Sequence, residues 1–239
     1  MIVVIVRDGG KTREHVLERQ PFRIGNETVI YGDEVMGVAL YDAKRQQPRM
    51  LSPGERVTVG SATFEIAVRG PEPYAPSEPA ERELLVAIAG GDDHARLVYA
   101  DWLEQHGDAV RAEFLRVQQA ILAARSDTPD FHERMTKLRE LSERIDARWR
   151  VLLSRPLVEG CLGLQAPCPR EWAAMAPTER SDVRFCGGCK KEVYYCTTID
   201  LARNHAMRGH CIAVDAKLVR SPGDLDPPRP IMPGAPVAA

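Results

Sequence analysis

The first 160 residues contain no cysteine; all six lie beyond them, at Cys161, Cys168, Cys186, Cys189, Cys196 and Cys211. A disulfide framework spread over the whole chain is therefore excluded, and any thiol chemistry is confined to one C-terminal segment. Aromatic residues are scarce at 6%, and charge of either sign is nearly balanced, with a formal net charge of -2. That balance excludes coating of nucleic acid or an anionic membrane by bulk charge, and leaves only a local patch for such a role. No apolar run approaches the roughly 20 residues that a membrane helix needs, so no membrane partner is expected. The opening MIVVIVRDGG has no basic region ahead of its apolar residues and no small-residue cleavage site, and reads as a strand entering a turn. A cytoplasmic location is the expectation, and there clustered thiols stay reduced and hold metals more often than they pair.

Proline, by contrast, is plentiful and gathers in two places. RGPEPYAPSEPA, residues 69–80, has the composition of an extended, semi-rigid linker, and the tail from Ser221, SPGDLDPPRPIMPGAPVAA, has little to bury and is expected to be disordered or polyproline-like. These stretches divide the chain into a β-domain (1–69), a linker (70–80), a helical module (81–153), a cysteine-rich module (161–219) and a tail (220–239). The expected fold class is multidomain α+β: a small N-terminal β-sandwich, a central helical hairpin and a C-terminal zinc-ribbon-like β-hairpin with a short helix.

In the first segment IVVIV, VTVG and TFEIAV show the β-branched content and alternation of half-buried strands, with a Gly60-Ser61 turn between the last two. PFRIG near its start and LSPGERVTVGSATFEIAV at its end resemble the first and last strands of forkhead-associated domains, a family that binds phosphothreonine peptides through loop residues. The family usually has arginine directly after the glycine of the IG pair. Here Asn26 follows Gly25, and neither a Ser-x-x-His element nor an Asn-Gly pair precedes the last strands. The resemblance implies the fold without the phosphopeptide, because phosphate capture needs guanidinium or backbone donors at fixed geometry. Arg23 and Arg45 are the candidates for a substitute phosphate or partner contact.

From Glu81 the hydrophobic period becomes helical. Leu84, Leu85 and Ile88 precede a stop at Gly90-Gly91; Asp92 or Asp93 offers an N-cap to a helix with Leu97, Val98 and Trp102 as its apolar stripe, ending at Gly107. Asp108 caps the next helix, with Val110, Phe114, Val117 and Ile121. A last helix follows Pro129 and carries Phe131, Met135, Leu138, Leu141, Ile145 and Trp149, folding back on its predecessor across SDTPD. The stretch DDHARLVYADWLEQHGDAVRAEFLRVQQAI closely resembles a bacterial repeat-companion domain, a family that brings no established activity. His94, Asp101, Glu104 and His106 could suggest an acid-base site, but caps and packing already account for these positions.

In the last segment Cys186-Gly-Gly-Cys189 lies between VRF and KEVYYC, two runs that alternate as strands. Glycines permit the tight turn in which two thiolates converge on one metal ion, so the motif is expected at a hairpin tip. A redox C-x-x-C would instead open a helix, and KKEVYYC is a poor helix start. Cys168 and Cys211 complete a C-x17-C-x2-C-x21-C set, with His205, His210 and Cys196 as competing ligands and Cys161 as a structural thiol. Thr197 or Thr198 can cap the helix IDLARNHAMR, which Gly209 can end. The elements WAAMAPT, VRFCGGCKKEVY and the closing GHC are similar to a small cysteine module of bacterial multidomain proteins, and that resemblance implies the same four ligands and no substrate.

The expected cofactor is therefore a structural zinc ion. No nucleophile-base-orienter set and no phosphate loop emerges. The leading expectation is a non-enzymatic adaptor that binds another protein. Nucleic-acid binding is an alternative, because residues 168–220 hold nine basic and six acidic residues, with Arg184, Lys190 and Lys191 around the knuckle and Tyr194 and Tyr195 nearby. A thiol- or metal-dependent enzyme using Cys196 or His210 is the third.

Overall fold

The computed structural model describes residues 1–17, 20–25, 27–33, 37–44, 46–160 and 170–226. Asn26, Arg45, Cys161, Cys168 and residues 227–239 lie outside the described residues. The start of the expected tail is not loose: Arg203 Nε donates to Asp224 O at 2.9 Å, Arg220 pairs with Asp224, and Leu225 packs against Cys196 and its neighbours. The chain is mixed α+β, with six helices and three sheets among the described residues.

The N-terminal β-rich run forms strands β1 (Ile2–Asp8), β2 (Lys11–Val16), β3 (Phe22–Ile24), β4 (Thr28–Asp33), β5 (Gly37–Asp42), β6 (Pro48–Leu51), β7 (Arg56–Val59) and β8 (Ala62–Val68). They make two four-stranded antiparallel sheets, ordered β2-β1-β8-β7 and β3-β4-β5-β6. Alternation sends Ile2 and Val4 from β1, Ile30 from β4, Val38 from β5 and Phe64 and Ile66 from β8 into one shared core, which is where the two sheets face each other. Arg23, on the short strand β3, is exposed.

The helical region holds α1 (Pro79–Ala89), α2 (Asp93–Gln105), α3 (Ala109–Ala123), α4 (Pro129–Glu143) and α5 (Ala147–Leu153). Its starts follow local chemistry: Asp92 accepts from the amides of His94 and Ala95, Asp108 from that of Arg111, and Thr128 from that of Phe131. Two features differ from the periodicity. Leu97 and Val98 are 38% and 42% exposed, while Ala95, Tyr99, Ala100 and Leu103 face the core. The small alanines let α2 approach closely enough for Tyr99 to reach inward, and burying that large ring decides which face turns in. The single long helix expected after Pro129 is two, because the Asp146 carboxylate accepts from the Arg148 amide and starts α5 afresh.

Tyr99 ends in a buried polar network. Its hydroxyl donates to Glu81 Oε1 at 2.7 Å and accepts from Trp149 Nε1 at 3.1 Å. Tyr74, inside the proline-rich stretch, donates to the same Glu81 oxygen at 2.7 Å and carries the Arg111 guanidinium 5.2 Å above its ring. Ser181 Oγ also donates to Pro71 O at 2.7 Å. Residues 71–78 carry no helix or strand, but the last two residues of the expected linker, 79 and 80, already belong to α1, and the stretch is fastened to the helices and the cysteine-rich region rather than spacing them apart.

The cysteine-rich region forms β9 (Val158–Glu159), β10 (Ala176–Pro177), β11 (Val183–Cys186), β12 (Lys191–Cys196), α6 (Ile199–Met207) and β13 (Cys211–Val214) in one sheet ordered β10-β11-β12-β13-β9. β11 and β12 are an antiparallel hairpin, and α6 carries the chain over to lay β13 parallel to β12. The Thr198 side chain accepts from the Leu201 amide to start α6, and Gly209, at φ 75, follows its end.

α5 belongs to two cores. Trp149 and Leu153 pack among the helices, while Val151 packs with Trp172, Tyr195 and Cys211 against the sheet. Arg150, 3% exposed, forms a bidentate ion pair with Asp215, at 0%, just past β13. Trp172 Nε1 donates to Val151 O at 2.7 Å, and the Ser154 and Tyr195 hydroxyls are 2.8 Å apart.

Candidate metal centre

Residues opposite one another in register share a sheet face. Cys186 opposes Lys191, Arg184 opposes Val193, and Val193 in turn lies beside Cys211, so both cysteines are on the face that carries Val193 and Tyr195. Cys186 and Cys211 are buried there with Trp172 and Met175, and Cys189 is half-buried against the same cluster.

The turn that carries Cys186 and Cys189 is built for sulfur. The main-chain N–H of Cys189 is the largest influence on the Cys186 thiol; together with the Gly188 N–H, the Cys189 side chain and, least, the charge of Arg170, it outweighs burial and holds this thiol below the usual cysteine range. Lys190 N donates to Cys186 O at 2.9 Å, and Lys190 takes the left-handed conformation, at φ 59, that returns the chain into β12. This corner escapes sequence reasoning because a lysine, rather than glycine or asparagine, occupies it.

Cys211 enters the face from β13, and Gly160 makes room for the carbonyl of His210 just before it. At φ 79, a side chain on Gly160 would place its first carbon 2.7 Å from His210 O. Cys186, Cys189 and Cys211 thus come to one side of the sheet, and soft thiol donors are the set that zinc favours. No group of three His, Cys, Asp or Glu is already drawn together at metal-binding spacing among the described residues. Cys168, the fourth sulfur of the expected set, lies outside the described residues.

The competing ligands sit elsewhere. Cys196 is fully buried on the opposite face with Ala202, Ile212 and Val214, and its S–H donates to Tyr194 O at 3.4 Å. His205 and His210 are on that face too. Their Nδ1 atoms are 2.9 Å apart, and the Tyr194 ring stacks on both, with centroids at 4.2 and 4.7 Å. Burial and the nearby Arg208 push His210 below the ordinary histidine range.

The basic residues expected around the knuckle are divided as well. Lys190 is exposed and Lys191 half-buried, but Arg184 is 8% exposed and points inward. Its Nη1 donates to Trp172 O at 2.9 Å and Ala173 O at 2.8 Å, and its guanidinium lies 4.9 Å from the Trp172 ring centre. Burial pulls its pKa down to about 10. Arg184 is therefore engaged inside the fold, by the carbonyls of the turn at Trp172–Ala174, and not displayed on the surface as the sequence suggested. In the helical module, Asp101 and Glu104 both bind Arg116 at 2.7 Å, while His106 stacks on Trp102.

No family model matches the chain, and no curated protein or solved structure matches it.

Proposed function

We propose that the protein is a non-enzymatic modular adaptor for protein-protein interaction, whose cysteine-rich module is held by a structural zinc ion on Cys168, Cys186, Cys189 and Cys211. The observation that carries this reading is the single sheet face shared by Cys186 and Cys211, against which Cys189 packs. The main-chain amides beside Cys186 lower its thiol pKa and so favour a thiolate, the form in which cysteine binds metal. Four thiolates leave no open coordination position, so the ion's contribution would be stability rather than activation of water.

The adaptor reading is supported by where the interior charges go. Glu81, Arg150, Asp215 and Arg184 are each engaged by fixed partners within the fold. Partner binding by zinc-loaded wild type and Cys189→Ser tests the proposal. A protein retained by the wild type and released by the variant supports it. Retention of generic DNA or RNA, with an affinity that falls steeply with salt, would replace it by nucleic-acid binding. Rapid alkylation of a single thiol in the zinc-loaded protein would favour thiol chemistry instead.

A further inference from the structure

We infer that Arg96 and Arg155 form a binding site for one small monovalent anion of the chloride class, beneath the start of α2. The site stands independently of any metal on the cysteines and of the adaptor reading.

The end of α5 draws the arginines together. Arg96 Nη1, from α2, donates to Leu153 O at 2.7 Å, and Arg184 Nη2, from β11, donates to the neighbouring Leu152 O at 3.4 Å, so two guanidiniums cap adjacent carbonyls at the C-terminal end of that helix. Arg155, two residues beyond α5, joins them through Asp93. Its Nη2 donates to Asp93 Oδ1, the same oxygen that Arg96 Nε faces at 3.8 Å.

These contacts leave donors unmet. Arg96 is 4% exposed and the Arg155 side chain 7%. Within them, Arg96 Nη2 and Arg155 Nε are buried and have no hydrogen-bond partner in the protein. A charged donor left without an acceptor in the interior is costly, so each of these N–H groups calls for one. Glu171 Oε2 stands 3.9 Å from Arg155 Nε, too far to serve.

Charge asks for the same thing. Asp93 and Glu171, the carboxylates that face Arg96 and Arg155 among the described residues, are both more than half exposed. The run CLGLQAPCP that leads into Arg170 contains no acidic residue to add to them. Arg184 brings a third cation, near enough to repel Arg96. Burial pulls Arg96 below the ordinary arginine range despite the opposing charge of Glu171. Three guanidiniums thus face two carboxylates that water screens, and one monovalent anion balances the count. The unmet N–H groups lie below the surface, where a monatomic ion fits more readily than a phosphate or a partner's acidic side chain. The first turn of α2 adds the positive end of its dipole.

The test is the melting temperature of the full chain at fixed pH and ionic strength as sodium chloride replaces sodium gluconate. The proteins are wild type, Arg96→Met, Arg155→Gln and Arg13→Gln, the last an exposed control on β2 with the same change of charge. A ligand held by the folded state alone raises the transition as its concentration rises. Wild type and Arg13→Gln are expected to gain stability with chloride, and Arg96→Met and Arg155→Gln to lose that gain whatever their starting stability. Arg155→Gln alone decides where Arg96→Met fails to fold. An equal gain in every variant is a general salt effect and overturns the site. No gain in wild type overturns it too, and leaves water as the acceptor of the buried N–H groups. A larger gain with phosphate at the same ionic strength, lost in the same two variants, overturns the chloride class.

Discussion

At the scale of single residues, the fold places charge where water cannot reach and then answers it with hydrogen bonds. Glu81 is 1% exposed. Burial alone would push its carboxyl up, but donors from Tyr99, Tyr74 and Ser77 outweigh burial and hold it below the ordinary carboxylate value of 4.5. A depressed folded-state pKa means that the stabilisation is fully present above the unfolded value and is lost as pH falls through the folded one. Glu81→Gln should therefore cost about 2 kcal/mol near neutral pH, by leaving hydroxyl donors without their charged acceptor. In urea denaturation at a series of pH values, the difference from wild type should shrink below about pH 4.5 as the native carboxylate is protonated. A difference that stays constant through acid pH would show that Glu81 titrates as it does in the unfolded chain. Lys190 makes the opposite case, a residue held against its preference. Its left-handed backbone is disfavoured for a side chain by about 1 kcal/mol, so Lys190→Gly should be neutral or raise the melting temperature slightly.

At the scale of elements, what the sequence made legible was mostly local. The Asp92, Asp108 and Thr198 caps lie within three residues of the amides they receive, and the alternation of VRFC and KEVYYC around two glycines suffices to place the β11–β12 hairpin. The core face of α2 was not legible, because Leu97 and Val98 outrank the alanines in hydrophobicity and only the distant partners of Tyr99, Glu81 and Trp149, reveal which side is buried. Arg184 looked like a surface cation for the same reason: its carbonyl partners at Trp172 and Ala173 come from outside its own strand. The break before α5 matters most, since it frees that short helix to serve two cores. Its Arg150–Asp215 pair is buried at both ends, and removing one partner leaves the other as an uncompensated charge. Asp215→Asn should destabilise by about 3 kcal/mol in urea unfolding followed by tryptophan fluorescence. The effect should fall equally on signals from Trp149 and Trp172, which sit in the two cores that α5 joins. Separate transitions, with only the Trp172 signal shifted, would show that the helices do not share stability with the sheet.

At the scale of the whole molecule, the composition announces segments, and the structure shows how two of them are joined. The helices and the cysteine-rich sheet share α5, and the proline-rich stretch is pinned to both by Tyr74 and Pro71. That junction could not be read from composition, because proline content reports local stiffness and not what the stretch packs against. The candidate centre was legible in part: the knuckle from its spacing, but neither the shared face of Cys186 and Cys211 nor the separate histidine-tyrosine stack, both of which depend on the parallel pairing of β12 with β13. The central claim is that thiolates on that face hold a structural zinc ion on which the small C-terminal sheet depends. Binding energies of about 10 kcal/mol or more are typical of such sites, enough to decide whether a domain of this size folds. Native mass spectrometry with metal analysis, on wild type and Cys189→Ser, tests it most directly. One zinc ion in the wild type, and a metal-free variant with a loosened C-terminal module, is the predicted result; a well-folded, metal-free wild type would contradict the account.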